Sequence, residues 1–152
     1  MKVRDIMSKS VVTVGADASV ADAAKKMKDA NVGSVVVLDH NDVKGIVTDR
    51  KIVTTVIAES RDPTREKIGS IASKSLVTCD ENSDVHDCLV TLGKNKIRRC
   101  PVINDKKELV GVVSIADIAT EMRGCMDALF DDLSRSSGRA GHSIEESRPV
   151  IR

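Results

Sequence analysis

Aromatic residues are nearly absent from this chain of 152 residues, which has no tryptophan, no tyrosine and a single phenylalanine. Proteins that hold single-stranded nucleic acid usually stack its bases on aromatic side chains, so this class is disfavoured. An excess of one charge is also lacking, because 24 basic and 23 acidic side chains leave a net charge of +1. No global field therefore draws the chain to nucleic acid or to an anionic membrane.

Long hydrophobic runs are missing too. No apolar segment approaches the ~20 residues of a membrane span, and the amino terminus carries charge without the apolar stretch of a signal peptide. We therefore expect a cytoplasmic protein with no membrane partner.

Metal-ligand spacing is absent from the cysteines and histidines. The four cysteines contain no CxxC pair, and neither they nor the three histidines fall at the intervals of known zinc sites: Cys79, Cys88, Cys100 and Cys125, with His40, His86 and His142. We expect the cysteines to be small buried hydrophobes in a reducing compartment, with no metal and no required cofactor. No Ser-His-Asp set, carboxylate pair or Walker-type lysine loop is visible, so we expect no enzyme.

An internal repeat dominates what is present. Ile6, Val12, Thr13 and Val20 recur as Ile71, Val77, Thr78 and Val85, each 65 positions later (71 − 6), and the offset becomes 66 from Val43 and Leu109 onward. A register held through several elements predicts two copies of one structural unit.

Each copy shows the same succession of patterns. A short turn (3–7, then 68–72) precedes a strand (11–14 or 76–79) and an amphipathic helix (19–31 or 83–95). Ser19-x-x-Asp22 opens the first helix as a capping box, and Ser83 opens the second. A hairpin follows, 34–38 with 43–48 and 99–103 with 109–114, and a helix ends each copy, 49–59 or 115–133.

These units predict an α/β (α+β) fold of two β-α-β-β-α repeats. A half of about sixty residues is marginal alone, so the halves should pack face to face about a pseudo-two-fold axis and leave two equivalent clefts. We place the first repeat at residues 1–60, a polar linker at 61–66 and the second repeat at 67–123. A helical extension at 124–133 and a flexible tail at 134–152 complete the chain.

The strand-to-helix junctions carry the chemistry. The second copy has Ser114 followed three residues later by Asp117, whereas the first has Thr48 followed by Lys51. A helix start beside a hydroxyl can hold a phosphate, and a carboxylate one turn on can accept from a ribose diol. The same Ser-x-x-Asp is also a capping arrangement that needs no ligand. The sequence thus predicts a nucleotide site at the second junction and a different site at the first.

The tandem units ending in Gly-x-x-Ser/Thr-x-x-Asp resemble the cystathionine-β-synthase (CBS) domain family, and the whole is similar to a stand-alone CBS pair, or Bateman module. Residues 3–7 with 11–14 resemble the family's first turn and strand, and residues 97–103 its second strand. The resemblance covers residues 2–123.

The resemblance implies a non-catalytic regulatory module whose inter-repeat clefts bind an adenosine-containing ligand: AMP, ADP, ATP, an NAD-type dinucleotide or S-adenosylmethionine. It also implies a homodimer that signals through its own conformation or through an unknown protein partner. The alternative is a scaffold with vestigial clefts, in which Leu129, Phe130 and Leu133 of the last helix contact a partner or a dimer mate.

Residue by residue, the resemblance assigns the ribose to Asp117 and the phosphate to Ser114 and to Arg99, with Arg98 as its neighbour. Strand alternation allows only one of these two arginines to face a given cleft. The first repeat would supply four further residues to the same pocket: Asp5, Ser10, Val32 and Gly33. Val32 and Val112 would sandwich the base, whereas Asp5 either accepts from its amine or caps the first turn.

The mirror cleft departs from this pattern, because Lys51 replaces the acid and Asp49 comes two residues early. Three outcomes stay open there: an empty cleft, an anion held by Thr48 and Lys51, or a ligand in an altered pose. Losing a charge-assisted hydrogen bond costs about 1.5–3 kcal/mol, or roughly ten- to a hundred-fold in affinity. We therefore expect one strong site per chain, at Asp117.

Overall fold

The computed structural model describes residues 1–73 and 75–136, with the side chain of Ser136 left aside. Residues 1–119 form one compact unit, which contains the first predicted repeat and all but the last four residues of the second, and another unit begins at Thr120. The tail predicted for residues 134–152 lies outside the described residues from position 137 onward.

The first repeat has the predicted succession of elements. They are α1 (Val3–Ile6), β1 (Thr13–Gly15), α2 (Val20–Ala30), β2 (Ser34–Asp39), β3 (Asp42–Thr48) and α3 (Asp49–Ile52), which continues as a π-helical turn (Val53–Ile57). The predicted closing helix is therefore helical up to Ile57 but not α-helical throughout. The Thr54 hydroxyl donates to the carbonyl of Arg50 at 2.9 Å, which competes with the backbone for that acceptor.

The second repeat has the same order with a longer last helix. Its elements are α4 (Ile68–Ile71), β4 (Cys79–Asp80), α5 (Val85–Lys94), β5 (Arg99–Ile103), β6 (Leu109–Ser114) and α6 (Ile115–Ser136). Helix α6 thus runs three residues beyond the predicted end at position 133.

Each repeat builds one three-stranded sheet in which the middle strand pairs with both neighbours. Strand β1 is parallel to β2, and β2 is antiparallel to β3, so Val36 lies opposite both Thr13 and Ile46. In the second sheet Val102 lies opposite both Cys79 and Gly111. The two sheets are copies of one topology, which confirms the predicted fold class.

The strand and turn bounds differ from the prediction in two ways. The first strands begin later than expected, at Thr13 and Cys79, although the Val12 carbonyl already accepts from the N–H of Val36 at 2.9 Å. The hairpin turn of the first repeat is also tighter than the predicted four residues. Strands β2 and β3 extend to Asp39 and Asp42, leaving only His40 and Asn41 with φ of 47° and 71°. Both are left-handed, as a two-residue hairpin turn requires.

The helix caps agree with the sequence in the first repeat and differ in the second. Ser19 Oγ accepts from the backbone N–H of Asp22 at 3.0 Å, as predicted. In α5 the cap is Asp84 rather than Ser83, because the Asp84 carboxylate accepts from the N–H of His86 at 2.8 Å. Ser83, one residue earlier, accepts from the N–H of Val3 through its backbone carbonyl at 2.9 Å.

The linker is bonded to the start of α2. The carbonyls of Pro63 and Glu66 accept from the N–H groups of Ala21 and Val20, both at 2.9 Å. Arg61 forms a two-point ion pair with Glu66, at 2.9 and 2.6 Å. The linker therefore satisfies backbone groups that a helix start leaves without partners.

Each half contributes its opening turn to the core of the other half. Val3 of α1 is fully buried among residues of the second repeat, such as Leu92 and Val102. Ile68 and Ile71 of α4 are buried in the core of the first repeat. Because of this exchange, neither repeat has a complete core of its own.

The buried stripes of α2 and α5 are narrower than predicted. Val20, Ala23 and Met27 are buried in α2, as are Cys88 and Leu92 in α5. Ala24 and Leu89, which we expected in the same stripes, are exposed. In both repeats the exposed residue directly follows a buried one, Ala23 or Cys88, so it lies beside the buried stripe and not in it. Among the described residues, no helix is both long and apolar enough to cross a membrane.

Gly111 allows the chain of the first repeat to cross the second sheet. Ser8 and Val112 exchange two backbone hydrogen bonds at 2.9 and 3.0 Å beside it. A Cβ at Gly111 would lie 2.8 Å from the Ser8 carbonyl oxygen and 2.6 Å from Met7 Sδ. At the equivalent Gly45 the nearest atom would be Ala72 Cβ, at an ordinary 3.6 Å.

We predict that Gly111→Ala lowers the free energy of unfolding by about 1–3 kcal/mol, the usual cost of overpacking. The methionine can move, but the Ser8 carbonyl is held by its bond to Val112. Gly45→Ala is the matched control and should cost clearly less in urea denaturation. Equal losses in the two variants would show that the crossing at Gly111 is not a tight constraint.

Candidate functional site

A cavity of about 210 Å³ lies where the junction of β6 and α6 faces the crossing segment of the first repeat. Six of the residues that the sequence predicted for one ligand site line it: Ser10, Val32, Arg99, Val112, Ser114 and Asp117. Five others, which sequence reasoning missed, complete the lining: Ser8, Val11, Val12, Ser34 and Val36. We call this cavity the first cleft.

The Asp117 carboxylate is oriented by Ser114. Asp117 Oδ2 accepts from the Ser114 N–H at 2.8 Å and from the Ser114 hydroxyl at 2.7 Å. In return, the N–H of Asp117 donates to Ser114 Oγ at 3.1 Å. The predicted capping interpretation therefore holds, yet both residues are half-buried and line the first cleft. Because a carboxylate offers about four acceptor positions, the cap leaves capacity for a ligand.

Arg99 links the two repeats at the wall between the clefts. Its Nη1 donates to the hydroxyl of Ser34 at 3.0 Å. The two residues are 65 positions apart and are therefore equivalent in the internal repeat. Arg99 lines the first cleft and also its counterpart on the other side of the pseudo-two-fold axis. A cation at this place can meet an anionic group in either cleft.

Three predicted residues do not line the first cleft. Asp5 caps α1, since its Oδ2 accepts from the N–H of Lys2 at 2.9 Å. Gly33 lies against Asp49, whose carboxylate would be 3.3 Å from a Cβ at that position. Arg98 directly precedes β5 and lines the other cavity. Arg99 lines that cavity too, so the expectation that only one of the two arginines faces a given cleft is wrong there.

That other cavity, the second cleft, measures about 470 Å³ and contains both predicted residues of the degenerate site, Thr48 and Lys51. Thr48 Oγ1 accepts from the N–H of Lys51 at 3.2 Å, so it is the cap of α3. Four cations and one carboxylate line the cleft: Arg50, Lys51, Arg98 and Arg99, with Asp49. The second cleft is therefore cationic where the first carries a carboxylate.

Three of the four cysteines converge in the core of the second repeat, which the spacing along the chain did not predict. Cys79 Sγ lies 2.9 Å from Cys88 Sγ and 3.0 Å from Cys100 Sγ. Cys125 is exposed, so the expectation of burial is wrong for this residue. The repeat register contained a signal, because all three positions correspond to buried residues of the first core: Val14, Ala23 and Val35.

The three thiols titrate as one unit. Hydrogen bonds from Cys100 and from Cys79 lower the pKa of Cys88 to about 4, although burial opposes this shift. Hydrogen bonds with Cys79 and with Cys88, together with burial, raise the pKa of Cys100.

The CBS domain model matches this chain twice, at residues 3–58 and 68–124. The chain therefore belongs to the CBS domain family and carries two copies of the domain in tandem. This confirms the resemblance inferred from the sequence.

Two curated relatives have a similar length. CBS domain-containing protein YhcV of Bacillus subtilis is 33% identical over 117 residues, which is 77% of this chain and 82% of the relative. Hypoxic response protein 1 of Mycobacterium tuberculosis is 33% identical over 120 residues, covering 78% and 83%.

Solved structures agree with this assignment. Hypoxic Response Protein I, crystallised with two coordinated zinc ions, matches with a TM-score of 0.71 at 32% identity, covering 79% of this chain and 98% of that one. The CBS domain pair of protein MJ0100, in complex with 5′-methylthioadenosine and S-adenosyl-L-methionine, matches with a TM-score of 0.72 at 27% identity, covering 82% and 97%.

We predict that Ser114→Ala and Asp117→Ala each lower the free energy of unfolding by about 0.5–2 kcal/mol, the usual cost of a lost cap. The double variant should lose little more than either single one, because the two side chains bond each other. Chemical denaturation of the native protein, the two single variants and the double variant measures this coupling as a double-mutant cycle. Thr48→Ala with Lys51→Ala is the control pair, whose losses should add, since only the backbone of Lys51 takes part in the cap.

Proposed function

We propose that the protein is a non-catalytic regulatory module that binds an adenosine-containing ligand in the first cleft. The observation that most supports this proposal is the half-buried Asp117 carboxylate, which Ser114 orients at the edge of a cavity that both repeats line. A ribose diol donates two hydrogen bonds, and an oriented carboxylate is a strong acceptor for them. The adenosyl ligands in the related MJ0100 pair support the same class of ligand.

The walls of the first cleft suit the remaining parts of such a ligand. Val32 and Val112 present aliphatic surface from different repeats, which can enclose a purine without an aromatic partner. Arg99 offers a cation to a phosphate or another charged substituent. AMP, ADP, ATP, NAD(H) and S-adenosylmethionine share the adenosine part and differ in that substituent, which Arg99 would discriminate.

Regulation would follow from the construction of the cleft. A ligand that contacts Val32 and Asp117 together connects the two repeats, so it favours the arrangement in which both are within reach. The shift in population is limited by the difference in affinity between the two arrangements. We propose that a cytoplasmic homodimer transmits this shift, directly or to a protein partner, through the exposed apolar residues of its helices, such as Val53, Leu89 and Ile115.

The sharpest test couples Asp117 to the ribose. A ligand at a hundred times its dissociation constant should add about 2.7 kcal/mol to the free energy of unfolding. We predict that Asp117→Ala weakens AMP binding roughly ten- to a hundred-fold, as loss of a charge-assisted hydrogen bond does. Removing the 2′-hydroxyl from AMP should weaken its binding to the native protein by a similar factor. The same removal should hardly change binding to the Asp117→Ala variant, which has already lost the contact. Titration calorimetry measures all four combinations.

Each variant is compared with its own unliganded stability, because Asp117→Ala also loses a helix cap. Lys51→Ala is the matched control at the equivalent position and should bind AMP as the native protein does. If the losses of binding free energy from Asp117→Ala and from the deoxy ligand simply add, the proposed contact between Asp117 and the 2′-hydroxyl is contradicted. If no candidate ligand shifts the melting temperature at millimolar concentration, the scaffold function replaces this proposal.

For the second cleft we propose that the missing acid, rather than the backbone, prevents strong adenosine binding. Lys51→Asp would recreate the Ser-x-x-Asp arrangement as Thr48-x-x-Asp at the start of α3, beside a cleft that is already open. We predict that this change raises the calorimetric stoichiometry from one adenosyl ligand per chain to two. A stoichiometry that stays at one would show that Arg50 and Arg98 also have to be replaced.

The scaffold function is supported by one observation. Helix α6 exposes five large apolar side chains from position 122 onward: Met122, Met126, Leu129, Phe130 and Leu133. Exposed apolar groups of this number usually mark an interaction surface. This surface is compatible with ligand binding, since a sensor also needs a partner.

A further inference from the structure

The cluster of Cys79, Cys88 and Cys100 presents three soft ligand atoms to one point. Their sulfur atoms all lie within 4.8 Å of one another. They come from three different elements: β4, α5 and β5. The cluster is therefore assembled by tertiary packing and is held by both the sheet and the helix of the second repeat.

The surroundings of the cluster contain no charge to balance an ion. The three cysteines are 0–5% exposed, and no buried residue in the described part of the chain is polar or charged. Apolar side chains enclose them: Val3, Leu92, Val102, Val113 and Ile118. A net charge placed here would be costly, because nothing nearby pairs with it.

Packing alone does not call for sulfur at these positions. The equivalent residues of the first repeat, Val14, Ala23 and Val35, fill the same places in the other core without a thiol. Three positions that are separated along the chain thus all carry cysteine at one point in space. Their common property is thiol chemistry rather than volume.

Coordination number and charge select the kind of ion. Zinc prefers four ligands, and the described residues offer only these three. With three thiolates, a divalent ion leaves one negative charge and monovalent copper leaves two, whereas a trivalent ion leaves none. Soft thiolate ligands favour soft ions.

We propose that Cys79, Cys88 and Cys100 form a binding site for a trivalent thiophilic metalloid, of which arsenite is the simplest. The reaction is a condensation, As(OH)₃ + 3 RSH → As(SR)₃ + 3 H₂O. Three As–O bonds and three S–H bonds break, three As–S bonds form, and each thiol proton leaves in water. Arsenic stays trivalent, so no oxidant or reductant is needed, and the product is neutral.

Access to the cluster is through the edge of the sheet. Strand β4 has only two residues and pairs with β5 alone, and residues 76–78 before it have no regular secondary structure. Opening of this short edge exposes Cys79 without unfolding the rest of the core. Cys88 and Cys100 then complete the site as the strand closes.

The test uses the Cys125→Ala background, so that only the three buried thiols can react, with a phosphine reductant that does not itself bind arsenic. We expect native mass spectrometry to show one arsenic per chain, thiol titration of the folded protein to show loss of all three thiols, and the melting temperature to rise. Cys79→Val, Cys88→Ala and Cys100→Val should each weaken binding by more than about ten-fold, since even indirect changes at metal sites cost that much.

The triple variant that combines these three changes copies the first repeat's own core and is the matched control. It should melt cooperatively and bind no arsenic. The proposal is overturned if the triple variant binds arsenic as the parent does, or if the parent reacts only after urea unfolds it. It is also overturned if equimolar zinc protects the three thiols from arsenite. Should the triple variant fail to fold, the single variants and the stoichiometry of the parent decide the matter.

Discussion

The exchange of opening turns between the two halves is the constraint on which the rest of the structure depends. Val3 fills the core of the second repeat and Ile68 the core of the first, so burial of apolar surface holds the repeats together. After its turn, the chain of the first repeat pairs with β6 through Ser8 and Val112. This crossing brings Ser10 and Val12 into the lining of the cavity that Ser114 also lines, which is the first cleft.

The two clefts show how one backbone can support different chemistry. Ser114 and Thr48 both cap the helix that follows a strand, but the residue three positions later is an acid in one case and a base in the other. Just before the middle strand of its sheet, Arg98 lines the second cleft, whereas its counterpart Gly33 leaves room for the Asp49 carboxylate. The pseudo-symmetry thus fixes the shape of the sites, and a few side chains fix their charge.

The same pattern appears in the cores. Both are apolar and occupy equivalent places, yet the second has sulfur where the first has Val14, Ala23 and Val35. Cys100 directly follows Arg99, the residue shared by both clefts, so the cysteine cluster and the candidate ligand site are adjacent along β5. The second repeat therefore contains the cysteine cluster and also supplies Arg99, Ser114 and Asp117 to the first cleft.

The amino-acid sequence by itself determined the repeat, the order of its elements, both hairpins and six residues of the first cleft. Periodicity and turn residues are local features of the chain, and the register of the repeat is a constant offset, so all of these can be read along the sequence. Only the tertiary structure decided that Asp5 caps α1, that Asp84 rather than Ser83 caps α5, and that Arg98 lines the second cleft whereas Arg99 lines both. It alone brought Cys79, Cys88 and Cys100 together. Such contacts join residues far apart in the chain, and they depend on how elements pack, which no local pattern encodes.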